Sequence, residues 1–234
     1  MTGFAHFPAG GLAVVVGGSG GVGGALVSRL RSETGFREVV SLSRSGAPKL
    51  DLTSEESIEA AVRSLSGDIR LVIDATGALH GDGFMPEKSL KEISGAHLAW
   101  SFAVNAVGPA LLMKHFLPLL PKVGPSVFAT LSARVGSIGD NNIGGWYSYR
   151  ASKAALNQLV HTAAIELRRR APEAVCVALH PGTVATNLSR PFAKTGLDVR
   201  PPEVAADDLL AVIAALKPAQ TGGFFDYRGD AIAW

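Results

Sequence analysis

Apolar and polar positions fall into two kinds of block along this chain. Short, nearly uninterrupted apolar runs at Leu12 to Val16, Leu71 to Ile73 and Val175 to Leu179 alternate with longer stretches whose apolar residues recur at helical spacing. Runs without polar alternation suit strands buried on both faces, and their alternation with helices predicts an α/β arrangement around a mostly parallel sheet. Strands are expected at Leu12–Val16, Glu38–Leu42, Leu71–Ile73, Ser126–Leu131, Ala174–His180 and near Phe224–Tyr227. Helices are expected at Val22–Leu30, at Tyr149–Arg170 and at Pro202–Leu216, with a further one whose Ile58, Val62 and Leu65 share a face. Thr53 and Glu56 have the spacing of a capping box for that last helix. A long apolar helical region runs from His97 to Leu120, with Gly108 and Pro109 placed to kink it. The polar stretch from Asn187 to Arg200 reads as a mobile segment. No repeat or linker interrupts the pattern, so residues 1–234 read as a single doubly wound domain with helices on both faces.

Composition agrees with one large core: 234 residues, 47% hydrophobic and 18% charged. A formal charge of +2 offers little attraction for nucleic acid, and the basic run Arg168, Arg169, Arg170 closes a helix, where cations complement the carbonyl end of the dipole. Cys176, the single cysteine, lies within an apolar strand and reads as a small buried hydrophobe. No basic segment followed by an apolar core opens the chain, and no apolar run approaches the ~20 residues of a membrane span, so a cytoplasmic protein without membrane contact is expected. The six histidines have no metal-ligand spacing, and no metal is expected.

Two stretches carry candidate chemistry. Gly17, Gly21 and Gly23 lie between the first strand and the first helix, where missing side chains let backbone N–H groups and a helix N-terminus approach a pyrophosphate. About 20 residues further on, where an acid would hold the ribose of NAD, stand Ser43 and Arg44, a hydroxyl and a guanidinium suited to the extra phosphate of NADP. In YSYRASKAAL, Tyr149 and Lys153 are four apart on a helix and share a face, with Tyr147 off that face. A nearby ammonium is expected to lower the phenol's pKa and make Tyr149 a proton shuttle for a carbonyl oxygen.

Together these motifs resemble the short-chain dehydrogenase/reductase family over essentially the whole chain, and the closing GGFFDYRGDAIAW with GGWYSYRASKAALN resembles its C-factor-like branch. VGGSGGVG stands where that family has TGxxxGxG, which adds Ser19 and Val22 to the cofactor-contacting residues. LDL resembles the adenine-contacting Asp and its neighbour, here Asp51 and Leu52. DATG sits at the family's NNAG and supplies Ala75 and Gly77. Asn105, in VNAVG, resembles the asparagine of the catalytic tetrad, and YRASK is the YxxxK signature. HPGTVAT is similar to PGxxxT, with Pro181, Gly182, Thr183 and Thr186 at the cofactor. The resemblance implies a Rossmann fold and hydride transfer between NADP(H), with NAD possible, and a small-molecule carbonyl or alcohol. It implies Tyr149 as the acid in reduction, Lys153 on the nicotinamide ribose, Asn105 holding a water linked to Lys153, and a homodimer or homotetramer.

The pattern departs at one catalytic position. The family's substrate-binding serine stands three residues before a glycine, and with Gly136 as the frame that place is Ala133. Ser132 is one residue early and Ser137 late; Ser132 is kept as the candidate. Two function classes follow: an NADP-dependent oxidoreductase of carbonyl reductase or alcohol dehydrogenase type, and a dinucleotide-binding redox or signalling protein with little turnover, which Ala133 favours. Phe192 and Leu197 hint at an apolar pocket.

Overall fold

The computed structural model describes residues 4, 7–32, 35–192 and 199–234. The elements in chain order are β1 (Gly11–Val16), α1 (Gly21–Ser32), β2 (Phe36–Leu42), α2 (Glu55–Arg63), β3 (Ile69–Asp74), α3 (Gly95–Phe102), α4 (Gly108–Phe116), β4 (Ser126–Leu131), α5 (Tyr147–Arg170), β5 (Ala174–His180), β6 (Thr183–Val184), β7 (Val199–Arg200), α6 (Pro202–Ala215) and β8 (Phe224–Asp226). Six strands form one sheet in the order β2-β1-β3-β4-β5-β8, every neighbouring pair parallel, and β6 with β7 forms a two-stranded parallel ribbon.

Every residue of β1, β3 and β4 is buried, which accounts for apolar runs without alternation. Side-chain direction still alternates along each strand. Ala13, Val15, Ile73 and Leu179 pack against α1 and α6 through Leu26, Leu30, Leu209 and Ile213. Leu12, Val14, Val72, Phe128 and Cys176 meet α2, α4 and α5 through Ile58, Phe116, Leu156 and Val160 on the other face. The doubly wound arrangement follows from strands that have two apolar faces to cover. Burial pushes the Cys176 thiol up to about 12, as suits a small core hydrophobe.

Two local expectations change. The cap of α2 is Ser54, whose hydroxyl accepts from Ser57 N at 3.2 Å, and not Thr53. Asp51 takes the Thr53 hydroxyl at 2.7 Å, leaving the next residue to cap the helix. The long apolar helix is interrupted before Gly108, by a π-helical turn at Ala103–Val107 in which Gly108 N reaches back to Ala103 O. Pro109 has no N–H to offer the Asn105 carbonyl four residues earlier, so the regular ladder cannot run through this point. A side chain at Gly108 would meet Leu52 at 3.0 Å, so the glycine lets α4 close on the loop before α2. The expectation that no apolar run approaches membrane-span length also changes, since the continuous run Gly95–Leu119 is apolar and long enough, by length and composition only, to cross a membrane. Here it buries His97, Ser101 and Asn105 and packs against α5 and α2 as a core element. At the far end of α5, Arg170 bonds the carbonyls of Leu117 and Leu120, a structural use of the basic run.

The turn after β1 separates glycines that are required from one that is not. A Cβ at Gly23 would lie 2.2 Å from the Gly17 carbonyl oxygen, whereas one at Gly24 would sit 3.4 Å from Gly18 O. Gly23→Ala is expected to destabilise the fold by about 1–3 kcal/mol through overpacking. Gly24→Ala, within α1, is expected to be neutral or stabilising by up to ~1 kcal/mol. Urea unfolding of the two variants checks the contrast; equal midpoints contradict it.

Candidate active site

The strand order reverses at β1: the chain leaves it for β2 on one side and reaches β3 on the other. Connections after β1 and β3 therefore part around a crevice at the carboxyl ends of the strands, the usual ligand position in open α/β sheets. Gly17 (φ +83°) turns the chain there, and a Cβ on it would meet the Ala75 backbone at 3.0 Å. Ser19, Gly20 and Gly21 leave the start of α1 exposed, and a Cβ at Gly21 would lie 2.7 Å from the Thr186 methyl. Val22 is half-buried and Gly23 buried beneath this turn. The glycine turn, Ala75 and Thr186 thus meet in one cradle that side chains would fill. Pro181, Gly182 and Thr183 follow β5 as half-buried residues.

Beyond β2, Ser43 is buried and bridges to Lys49, while Arg44 is exposed and makes no ion pair among the described residues. Asp51 accepts from Thr53 N at 2.9 Å, and these Thr53 bonds hold its carboxyl below the usual value, with help from Arg44. Half-buried Leu52 packs against the core beside it.

Lys153 lies by the carboxyl ends of β3 and β4, beside Gly77 and Leu131, and is 2% exposed. Its Nζ donates to the Leu131 carbonyl at 2.8 Å. Burial pulls the ammonium's pKa down to about 8, against the opposing pull of the Asp74 carboxylate. Asp74 is fully buried at the end of β3, accepting from Thr130 Oγ1 at 2.6 Å and from Thr76 N at 3.0 Å. Burial pushes its carboxyl up despite these bonds and the lysine. A Cβ at Gly77 would lie 3.4 Å from both Lys153 Nζ and Asn105 Oδ1. Asn105, in the π turn, accepts from Ala78 N and donates to Ala78 O, both at 2.8 Å, and reaches Ser152 Oγ at 3.2 Å. Ser152 in turn donates to the Tyr149 carbonyl at 2.9 Å.

Tyr149, Lys153 and Asn105 are therefore brought together around the first turns of α5. The expected lowering of the phenol is not seen. Burial alone acts on Tyr149, which is 8% exposed, and pushes it up to about 12. The ammonium is turned to the Leu131 carbonyl, so its charge does not offset the phenol's desolvation. Ser132 gives its proton to Asn157 Oδ1 at 2.6 Å, and Ser137 Oγ accepts from Asp140 N at 3.1 Å. Both hydroxyls have partners of their own, and Ala133 offers none.

Residues that sequence reasoning passed over fix the start of α5. Glu87 is 1% exposed; its carboxylate accepts from Ser148 Oγ, from Ser148 N at 3.2 Å and from His97 Nδ1 at 2.9 Å, and its carbonyl accepts from Trp146 N at 2.5 Å. Arg150 donates to the carbonyls of Gly145 (2.9 Å), Gly144 (3.1 Å) and Val135 (3.2 Å). The only sequence signal for Glu87 is a carboxylate in a loop among glycines. Half-buried Phe192 packs on Trp146, but Leu197 lies outside the described residues.

Residues 21–200 match the family described as enoyl-(acyl carrier protein) reductase. The C-signal of Myxococcus xanthus is 37% identical over 147 residues, covering 62% of this chain and 84% of that protein. A 1-hydroxy-2-glutathionyl-2-methyl-3-butene dehydrogenase of Rhodococcus is 35% identical over 191 residues, 80% of this chain and 79% of that one. Among solved structures, a short-chain dehydrogenase/reductase from Burkholderia multivorans with bound NADP superposes with a TM-score of 0.80 at 26% identity, covering 96% of this chain and 99% of that one. An NADPH-bound carbonyl reductase from chicken fatty liver shares the fold, with a TM-score of 0.83 at 23% identity over 100% of this chain and 98% of that one.

The Glu87 staple has a pH signature. Burial would raise its carboxyl, but the bonds from Ser148 and the nearby His97 outweigh it and hold the group below 4.5. A carboxyl held low adds stability that is complete above its unfolded value and is lost as pH falls through the folded one. Glu87→Gln is expected to cost about 1–3 kcal/mol at pH 7, since an amide cannot accept all these donors. The gap should narrow as pH falls below 4.5. Urea unfolding of both proteins from pH 7 to pH 3.5 checks this; a constant gap contradicts it.

Proposed function

Because the chain belongs to the short-chain dehydrogenase/reductase family, we propose that it is an oxidoreductase moving a hydride between NADP(H) and a carbonyl or alcohol carbon. The observation that carries this reading is the meeting of a buried phenol, Tyr149, and a buried ammonium, Lys153, with a glycine cradle at the carboxyl ends of the strands. The cradle at Gly17, Gly21 and Gly23, with Ser19, Val22, Pro181, Gly182, Thr183 and Thr186 around it, fits a dinucleotide, and Ala75 and Gly77 lie along its wall. Asp51 and Leu52 border the adenine end. NADPH supplies the hydride when bound.

The chain's own groups hold and move the proton. A phenol pushed up to about 12 stays protonated at working pH and is ready to donate to a carbonyl oxygen. Lys153, at about 8, is mostly charged at neutral pH and would stabilise the phenolate left behind once its Nζ turns from the Leu131 carbonyl toward it. Asn105 fastens the loop after β3 to the π turn, and a water on its carbonyl links Lys153 to solvent. The ordinary site of the chemistry is an aqueous compartment such as the cytoplasm, in a dimeric or tetrameric assembly.

Arg44, exposed and without an ion pair among the described residues, carries the cofactor choice, with Ser43 beside it and no acid at the end of β2 to meet a free ribose hydroxyl. NADPH is expected to bind more tightly than NADH, and Arg44→Ala to remove about 1–3 kcal/mol of that preference. Equal affinities in the unaltered protein contradict it.

Ala133 favours a second reading, in which the protein binds the dinucleotide with little turnover, because Ser132 gives its proton to Asn157 and Ser137 lies four residues beyond Ala133, its oxygen held by Asp140 N. Steady-state NADPH consumption with aldehydes, ketones and quinones separates the two readings. Tyr149→Phe is expected to lower turnover by about 10²-fold or more with cofactor binding unchanged. Ala133→Ser is expected to raise turnover by up to ~10²-fold by restoring a donor at the developing oxyanion. A crippling loss on Ser132→Ala or Ser137→Ala instead shows that one of them already serves.

A further inference from the structure

The chain enters α5 through three successive left-handed residues, Gly144 (φ +71°), Gly145 (φ +66°) and Trp146 (φ +53°). Glycine adopts this conformation freely; tryptophan does so only when its surroundings over-determine it. Here they do. Glu87 O holds Trp146 N, and Arg150 gathers the two glycine carbonyls. Strain of this kind gathers at sites where a side chain must be aimed.

The aim is toward the phenol. The indole lies edge-on to the Tyr149 ring, 6.3 Å between centroids at 73°, and edge-on to Phe192 at 5.3 Å and 62°. Phe192 continues to His80, 5.7 Å away, whose Nε2 is 3.3 Å from the Asn187 carbonyl and ties the loop after β3 to the segment carrying Phe192. Trp146, Phe192 and His80 are each half-buried, so each keeps part of its ring accessible beside a phenol that is almost covered. No cation lies over any of these rings among the described residues; the cation–π contacts are at Tyr227. Rings with free faces and edges offer stacking and apolar contact to a flat ligand and few hydrogen bonds to a polyhydroxylated one.

We propose that Trp146, Phe192 and His80 form the substrate-recognition wall beside Tyr149, and that it selects a flat, uncharged carbonyl compound, aromatic or conjugated, over a compact polyhydroxylated one. The orientation of the carbonyl rests on the reading of Tyr149 as proton donor; the wall's preference for flat apolar ligands does not.

Binding with NADP⁺ in place of NADPH tests the wall without turnover, since the oxidised cofactor cannot reduce a ketone. The probes are 2-acetylnaphthalene and dihydroxyacetone, titrated calorimetrically with and without NADP⁺. The unaltered protein is expected to bind the aryl ketone and not dihydroxyacetone. Trp146→Gly, which suits the left-handed backbone, and Phe192→Ala are each expected to weaken the aryl ketone about tenfold, with circular dichroism and NADP⁺ affinity unchanged. Phe192→Leu, which keeps apolar volume without a ring, should fall between. The proposal is overturned by failure of the unaltered protein to bind the aryl ketone, by equal binding of dihydroxyacetone, or by folded variants that bind as the parent does. NADPH oxidation measured in parallel keeps the two readings apart. Wall-dependent binding without turnover sinks hydride transfer and leaves the wall standing, whereas turnover of the aryl ketone unaffected by both substitutions does the reverse.

Discussion

Burying an ammonium is costly, and the crevice of this protein is organised around one. Lys153 has lost nearly all contact with water, and the groups that compensate it are the Leu131 carbonyl and the charge of Asp74. Both come from the ends of central strands, so the sheet sets the position of the amine. The lysine in turn leaves its neighbours little room. A Cβ at Gly136 would lie 2.8 Å from Lys153 Cβ, and the turn after β4 can rest on α5 only because that residue is glycine. Gly77 is confined by the amine and by Asn105 in the same way. Helix, strand ends and both flanking loops are thus fitted to a single side chain.

Around that centre the site divides into two parts with different physics. The cofactor side is mostly backbone: a glycine turn, the exposed start of α1 and the segment after β5. Its shape comes from the absence of side chains, and the sheet behind it holds it rigid. The proposed substrate side is made of side chains on connections, the Trp146 turn, His80 and Phe192, and needs its own fastening. Glu87 supplies it, joining residues 61 apart in sequence through Ser148 and adding His97 from α3. A carboxylate at a helix start also suits the positive end of the dipole, so the staple serves the helix electrostatically as well as sterically.

Much of this was legible in the chain. Leu12–Val16 and Val175–Leu179 announced a sheet covered on both faces because a fully buried strand has nothing polar to show, and the glycines after β1 announced a close backbone approach. Tyr149 and Lys153 were legible because helical spacing alone puts them side by side. What escaped depends on direction and distance. The phenol's pKa moved opposite to expectation because burial strips water from it while Nζ points at Leu131 O, both facts of tertiary packing. Thr53 lost its capping role to the chance proximity of Asp51, and the break in the long helix fell at Asn105 because Pro109 acts on the turn before it. Glu87 and Asp74 were ordinary acids until the fold closed water away from them.

The claim on which the rest turns is that Lys153 is held buried with Asp74 as its counter-charge, and its titration tests this most directly. NMR of protein with ¹³C,¹⁵N-labelled lysine, with the Lys153 resonance assigned by its loss in Lys153→Met, follows the amine across pH. The account predicts a midpoint displaced from 10.5 to about 8 in the cofactor-free protein. It also predicts a further fall in Asp74→Asn, since removing the anion leaves desolvation unopposed. A midpoint at the ordinary lysine value, or one that Asp74→Asn leaves unmoved, would contradict it.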